Sequence, residues 1–448
     1  MRIVFNSREG KVYMSLQVVI LAAGKGTRMF SDKPKVLHEL AGKSMLSRVL
    51  DTAKALKPAG IHVIIGHEGA TIRDAFSFDN VNWVWQKDQL GTGHAVMQAL
   101  PHIPENDLVL VLSADVPLIQ LELLHNLVSH ALAEDTAKRA PLVLLLALLG
   151  DPTGLGRVLR DSNGRILAIV EEKDATEQQK EIKEIFTGIL ATRGSILKEL
   201  IPKIDNNNSA KEFYLTDLIG IASDNGFKIN TLTSAQNETL GANSRIEQEE
   251  LERTLRAMNT DELLNSGVSL VDKTRVDIRG DIKAGSDCVI DVNVILEGSV
   301  ELGNNVEIGA NTIVTNATIG DNTKILPFSH IESSNIGADC SIGPYARLRE
   351  GSIVEDGAKI GNFVETKKTK IGKSSKANHF SYLGDAEIGK EVNIGAGTIT
   401  CNYDGKDKHK TKIGDASFVG TNSSLVAPVN IGKNAYVGAG STMTKDIP

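Results

Sequence analysis

Residues 21 to 35 read LAAGKGTRMFSDKPK and follow an apolar run, Val18-Val19-Ile20-Leu21, that reads as a buried strand. Gly24 and Gly26 let backbone N–H groups come close to a ligand, and a loop leaving a strand toward a helix aims those donors at an anion. Arg28, Lys33 and Lys35 add positive charge, so the stretch reads as a phosphate site. It is neither G-x-G-x-x-G nor a Walker loop, and AGKS at Ala41 to Ser44 lacks the upstream glycine a Walker loop needs. A second piece is SADVP, in which Asp115 follows the apolar run Leu108 to Leu112. That order puts a carboxylate at the carboxyl edge of a sheet, where α/β proteins bind ligands, and a nucleotide's Mg²⁺ prefers one or two carboxylates plus phosphate oxygens. Read alone, the same Asp suits a turn before Pro117 equally well. A third is His379, two places after Ala377 and off an inward-pointing position. An imidazole, whose ordinary pKa lies near neutrality, can take a proton from an attacking amine, although a lone loop histidine is more often plain surface.

The elements that must hold these residues fall into two kinds. From Val18 to about Thr233 short β-rich runs alternate with helix-like stretches, the pattern of parallel strands joined by crossover helices. Strands are expected at Val18 to Leu21, Ile61 to Ile65, Leu108 to Leu112, Leu142 to Ala147 and Ile189 to Ala191. Ser244 with Glu247 forms a capping box, and Leu251, Leu255, Met258 and Leu263 keep helical spacing up to Gly267, a strut about 33 Å long. Beyond it aliphatics recur every sixth residue: Ile278, Ile290, Leu296, Leu302, Ile308 and Val314, with Ala284 filling the one gap, then Ile319 to Ile331, Ile336 to Ile360 and Ile413 to Met443. A period of six fits neither an α-helix nor a meander. It fits the faces of a triangular parallel β-helix with coils of about 18 residues and glycine or asparagine at the corners. The period breaks at KSSKANHFSY, before Leu383, and at TCNYDGKDKHKTK, before Ile413; both breaks are expected to be loops outside the stack. The domains are therefore read as 14–243, a linker helix over 244–267, and 268–448, with Met1 to Tyr13 either an extension or a misassigned start, without a structural role.

The chain has 448 residues, enough for at least two cores. Aromatics at 4% are too few for base-stacking platforms, and a net charge of −7 gives no basic field, which argues against a nucleic-acid partner. Cys288, Cys340 and Cys401 are odd in number and far apart, without C-x-x-C spacing, as in a reducing cytoplasm. The longest apolar run, Leu142 to Leu149, is too short to span a bilayer, and no secretory leader is read.

Leu21 to Met29 with Pro34-Lys35 resembles the L-A-A-G-x-G-T-R-M and P-K signature of sugar-phosphate nucleotidyltransferases. With QLGTGHA at Gln89 to Ala95 and the hexad region behind it, the chain is similar to the bifunctional N-acetylglucosamine-1-phosphate uridylyltransferase and glucosamine-1-phosphate N-acetyltransferase family over nearly its whole length. The resemblance implies a Rossmann-like α/β nucleotidyltransferase domain, a connecting helix and a left-handed parallel β-helix. It implies acetyl transfer from acetyl-CoA to glucosamine-1-phosphate, then uridylyl transfer from UTP with release of pyrophosphate, yielding UDP-N-acetylglucosamine for peptidoglycan, lipopolysaccharide and other envelope polymers. In the first site the Gly24 loop and the catalytic residues Arg28 and Lys35 would hold UTP phosphates, Leu21, Ala22, Ala23 and Ser113 would also line the nucleotide site, and Gln86, Gly91 and Thr92 would contact uracil. Asp115 and Asn243 would bind Mg²⁺, while Gly154, Glu171, Phe186 and Thr216 would lie near the sugar. In the second, His379 would be the base, Arg349, Lys367, Tyr382, Asn393 and Lys408 would hold the sugar phosphate, and Ala396, Asn402, Tyr403, Thr421 and Ala439 would serve acetyl-CoA. A homotrimer built through the β-helix and a cytoplasmic location are implied as well.

The chain departs from that pattern in four places. Ala114 stands for a usual glycine, Phe186 for a usual asparagine and Thr421 for a usual serine. The family's coils normally continue into a short basic tail that helps hold CoA, whereas the sequence given ends at Pro448. Phe186 removes a hydrogen-bonding group, so weakened sugar discrimination is expected. Two other functions fit less of the sequence. A single-activity nucleotidyltransferase with a structural solenoid leaves the His379 and Asn402-Tyr403 segments unused, and a non-enzymatic scaffold leaves both sites unused.

Overall fold

In the computed structural model, residues 2–7, 10–76, 80–133 and 141–448 are described. The chain divides into two compact units, Met1–Glu252 and Arg253–Pro448. The boundary falls inside the long helix, not at either end of it.

The first unit is built on a ten-stranded sheet. Gly10–Leu21, Gly60–Ile65 and Asn82–Trp85 run parallel, and Leu108–Ser113 lies parallel on the other side of Gly10–Leu21. The strictly parallel expectation fails beyond that point. Glu184–Arg193 is antiparallel to both Leu108–Ser113 and Leu142–Leu148, and Ile166–Val170 forms an antiparallel pair with Arg157–Arg160. The short turn between Arg160 and Ile166 allows that last pair to form as a hairpin, which parallel strands cannot do. Alternation along the central strand shows why both faces are covered: Val18 and Ile20 pack with Leu46 and Leu124, while Val19 packs on the opposite face with Val96 and Leu197. The extension also departs from expectation, since its backbone joins the sheet: Arg2–Ser7 pairs antiparallel with the start of Gly10–Leu21. Met1, Arg8 and Glu9 of that extension lie outside the described residues.

The helix spans Arg245–Asn265. Ser244 Oγ accepts from Glu247 N at 3.3 Å as expected, but Glu247 Oε2 accepts from Asn243 N at 2.6 Å, one residue before the cap position of a standard box.

In the second unit the strands stack as one continuous parallel coil. Ile278 pairs with Leu296, Ile325 with Ile342 and Val419 with Val437, and the inward aliphatics form a single core. Register shifts in the sequence are coils of 17 residues instead of 18, such as Val314 over Ile331. One of the two expected loops is therefore absent. Lys376–Gly384 is a strand lying in the stack against Lys359–Lys367, so His379 stands on a coil and not on a protrusion. The second loop is present: Ile399–Cys401 and Thr411–Ile413 stay in the stack while the segment between them is extruded, closed by a bridge of Tyr403 with Lys408. Corners take left-handed backbone, and one corner uses aromatics where glycine or asparagine is expected. Phe328, Tyr345, Phe363 and Phe380 have φ of 61°, 57°, 56° and 39°, and the first three rings stack at 4.9 and 5.3 Å. Left-handed backbone costs such residues roughly 1–2 kcal/mol each, which ring stacking partly offsets.

Candidate active sites

Register decides where the first site lies. Leu21 and Ser113 are partners at the carboxyl ends of adjacent parallel strands, so the Gly24 loop and Asp115 emerge side by side. They line a cleft of about 480 Å³ with Arg28, Lys35, Gln86, Gly91, Thr92 and Asn243. Leu21, Ala22 and Ala23 line it as well. The loop leads only into a 3₁₀ turn, Thr27–Met29, and not into an α-helix. Anion donors in this loop are thus its N–H groups and cationic side chains, without a helix terminus behind them. Gly26 has φ +60°, and a Cβ there would lie 2.6 Å from Lys35 Cβ, so the loop can only close over Lys35 with glycine at that position.

Lys35 Nζ stands 2.5 Å from Asp115 Oδ2 and 3.0 Å from Asn243 Oδ1. Ser113 Oγ donates to the other Asp115 oxygen at 2.5 Å. Burial pushes the Asp115 carboxyl up, but the Lys35 ammonium and the hydrogen bonds from Lys35 and Ser113 outweigh it and hold the group below the usual carboxylate range. Asn243 is placed by two backbone contacts: Ala242 N donates to Asp115 O at 3.2 Å, and Asn243 N donates to Glu247. Two oxygens therefore converge on a point that already holds positive charge, which suits a cation. Among the described residues no cluster of three His, Cys, Asp or Glu side chains forms a protein cage for a metal, so a metal here would complete its shell from phosphate and water. Ala114 is buried and is not among the residues of positive φ, so alanine in place of glycine needs no strained backbone.

On the far side Gln86 Nε2 donates to Gly91 O at 3.0 Å and meets His94 Nδ1 at the same distance. Thr92 Oγ1 accepts from Leu215 N at 2.9 Å, tying the wall to the next segment. Gln89, Lys25 and Glu212 also line the cleft; the first two fall inside the quoted motifs without a role of their own, and Glu212 carries no sequence signal. Lys33 was, but it pairs with Glu39 on the surface at 3.2 Å.

Four sequence-derived residues stand apart from this cleft wall. Gly154 occupies an exposed turn of φ +82°. Glu171 accepts from Thr216 Oγ1 at 3.0 Å, and burial pushes its carboxyl up. Glu171 borders a separate acidic hollow, where burial and then Asp205, Glu171 and Asp174 push Asp217 up to about 6. Phe186 is 5% exposed, packed in the core with Leu146 and Val158, and its strand is irregular between Phe186 and Leu190. A ring buried there fills the core, which favours a packing role for it.

In the coil, His379 Nδ1 lies 3.1 Å from Asn362 Oδ1 on the preceding turn. An amide oxygen at that distance can only accept, so the contact is a hydrogen bond in the tautomer with the hydrogen on Nδ1, which leaves Nε2 as the basic nitrogen of an exposed residue. Arg349 and Lys367 are neighbours on successive coils, bound to Glu365 at 2.9 Å and Glu350 at 3.5 Å respectively. Tyr382 stands beside Glu365 in register. Asn393 pairs with Lys376 on another face, and Lys408 belongs to the extruded segment, so the chain by itself does not bring these two to the Arg349–Lys367 group. Ala396, Thr421 and Ala439 sit at one corner of three successive coils. Asn402 Nδ2 donates to Asp385 at 2.5 Å, and Tyr403 is exposed with its hydroxyl on Gly405 O. Asn362, Glu350, Glu365 and Asp385 carry no spacing signal of their own; each becomes a neighbour only because the chain coils.

Residues 18–147 match the MobA-like NTP transferase domain family, 276–403 the GMPPB C-terminal domain and 410–445 the bacterial transferase hexapeptide (six repeats). The chain is 50% identical over 434 residues to the bifunctional protein GlmU of Marinobacter nauticus, covering 96% of this chain and 94% of that one. It is 49% identical over 436 residues to the bifunctional protein GlmU of Legionella pneumophila, covering 97% and 94%. Similarity of this extent across both catalytic halves places the chain in the bifunctional GlmU family, the uridylyltransferase–acetyltransferases of UDP-N-acetylglucosamine synthesis.

Proposed function

We propose that the two reactions divide between the two sites: His379 serves acetylation of glucosamine-1-phosphate, and the Gly24 cleft serves uridylylation of the acetylated product. The convergence of Lys35 on Asp115 and Asn243 beside a glycine loop carries the second assignment. Arg28, Lys35 and the loop N–H groups would grip the triphosphate, while Gln86, Gly91 and Thr92 face the base. Gly154, Glu171 and Thr216 would meet the sugar by the family resemblance. Asp115 and Asn243 would hold Mg²⁺, which when bound would neutralise phosphate oxygens. Alignment and neutralised charge are what phosphoryl-type transfer needs most, so no covalent nucleophile is required.

In the coil, His379 Nε2 would accept a proton from the amine of glucosamine-1-phosphate as it attacks the acetyl thioester. Arg349, Lys367 and Tyr382 would bind the phosphate, Glu350 and Glu365 keeping the cations in place until it arrives. Asn393 and Lys408 would complete that pocket across a subunit boundary, and Ala396, Asn402, Tyr403, Thr421 and Ala439 would line the coenzyme channel. A homotrimer supplies such a boundary, and the exposed Phe328–Tyr345–Phe363 stack supports self-association. No described helix is long and apolar enough to cross a membrane, and a cytoplasmic enzyme without nucleic-acid or membrane partners is the reading we favour.

The test is a reaction with glucosamine-1-phosphate, acetyl-CoA, UTP and Mg²⁺, omitting each reagent in turn, on the wild type and two variants. His379→Ala should lose acetylation by 10²-fold or more and keep uridylylation; Asp115→Ala should do the reverse. Loss of both activities in either variant would overturn the division.

A further inference from the structure

The Lys35 ammonium occupies the point on which Asp115 Oδ2 and Asn243 Oδ1 converge, and its side chain is only 11% exposed. A divalent ion on the same two oxygens would sit about 2.1 Å from each, within the space the ammonium fills, and two cations there would repel strongly. The ammonium and the metal therefore exclude one another at these ligands. Asp115 cannot turn to offer its other oxygen freely, because Ser113 Oγ holds it. Asn243 cannot withdraw easily either, because its backbone N–H is bound to Glu247. The lysine is the element able to move. Its root is packed against Gly26, while its head reaches the pair through four rotatable carbons, and Arg28 lines the same cleft.

We infer that Lys35 is an exchangeable counter-ion: it holds the Asp115–Asn243 pair until a divalent cation arrives, then releases the pair and turns to the nucleotide's phosphate. The inference rests on the reading of Asp115 and Asn243 as the metal seat. It makes metal and nucleotide binding mutually supportive, since the nucleotide offers the displaced ammonium a new anionic partner and the ion removes its old one. A lysine acting only as a fixed phosphate ligand gives no such coupling.

Mn²⁺ alone is the probe, its binding to nucleotide-free protein followed by electron paramagnetic resonance. Lys35→Met should bind Mn²⁺ at least tenfold more tightly than the wild type, Lys35→Arg should stay near the wild type, and Asp115→Asn added to Lys35→Met should abolish the gain. Equal or weaker binding by Lys35→Met overturns the exchange. If Mn²⁺ binds none of these proteins even with UTP present, the metal seat itself is wrong. The wild type gives a test that needs no folded variant: limited labelling with acetic anhydride, read by peptide mass spectrometry. Saturating Mn²⁺ should raise Lys35 acetylation several-fold by freeing the amine from its carboxylate, and unchanged labelling overturns the proposal.

Discussion

The Nδ1 of His379 and the amide oxygen of Asn362 lie 3.1 Å apart, stacked on successive turns of the coil. That contact orients the ring and favours the tautomer with the hydrogen on Nδ1, since an amide oxygen can only accept. His379 itself is exposed on the coil. A base is effective only if it meets its proton within hydrogen-bond distance and in the right protonation state, and this pairing addresses both.

Asn362→Leu should therefore lower the kcat of acetyl transfer roughly tenfold, about 1.4 kcal/mol of transition-state stabilisation, with little change in KM. Asn362→Asp keeps an acceptor and should recover most of that loss. Uridylyl transfer and the unfolding temperature should stay where they are in both variants; a falling melting temperature in parallel with kcat would point to a structural role instead.

Phe186→Asn restores the residue usual in the family, yet it should impair the protein. The ring sits in the core, so the change removes apolar packing and buries an amide, a loss of about 3 kcal/mol or more. Thermal unfolding should show a drop of several degrees. Improved discrimination between N-acetylated and free sugar phosphates, at unchanged stability, would contradict this placement.

Gly26→Ala meets both a left-handed backbone and the Lys35 stem. A stability loss of roughly 1–2 kcal/mol is expected, together with a raised KM for UTP, because the loop must retreat from Lys35 to make room. Acetyl transfer, measured separately, should not change.

Stability should fall as pH drops below about 6.5 through His62. Burial, then the neighbouring His102, lowers its pKa. Nε2 pairs with Gln17 Oε1 at 3.1 Å, and the buried Nδ1 has no acceptor for a second proton. The unfolded chain binds a proton at a higher pH than the folded one, so the stabilising contribution is whole above the unfolded pKa and is lost as pH falls toward and past the lowered folded value. Melting temperatures between pH 7.5 and 5 should slope less in His62→Gln than in the wild type; parallel slopes would exclude His62 as a source.

Much of the chain could be read from residue order alone. A period of six forces side chains onto repeating faces, and it named inward residues from Ile278 to Val437, because each hexad repeats the same short-range geometry. The glycine and lysine spacing of residues 21 to 35 likewise states what kind of ligand that loop suits, since backbone freedom and charge are properties of the residues themselves. His379 was legible as an exposed imidazole, but its loop was not a loop: a one-residue deficit resembles an interruption in sequence, and the coil absorbs it by shortening a turn to 17 residues.

What residue order could not decide was who stands beside whom. Lys35 meets residues 80 and 208 positions away, and Asn362 meets His379 across 17. Residue order did not show that strand pairing turns the Phe186 ring into the core. Composition and local spacing settle which chemistry a residue carries, because they act within a few bonds. Strand register and coil length settle what that chemistry is applied to, because only the packed fold brings distant atoms within hydrogen-bond range.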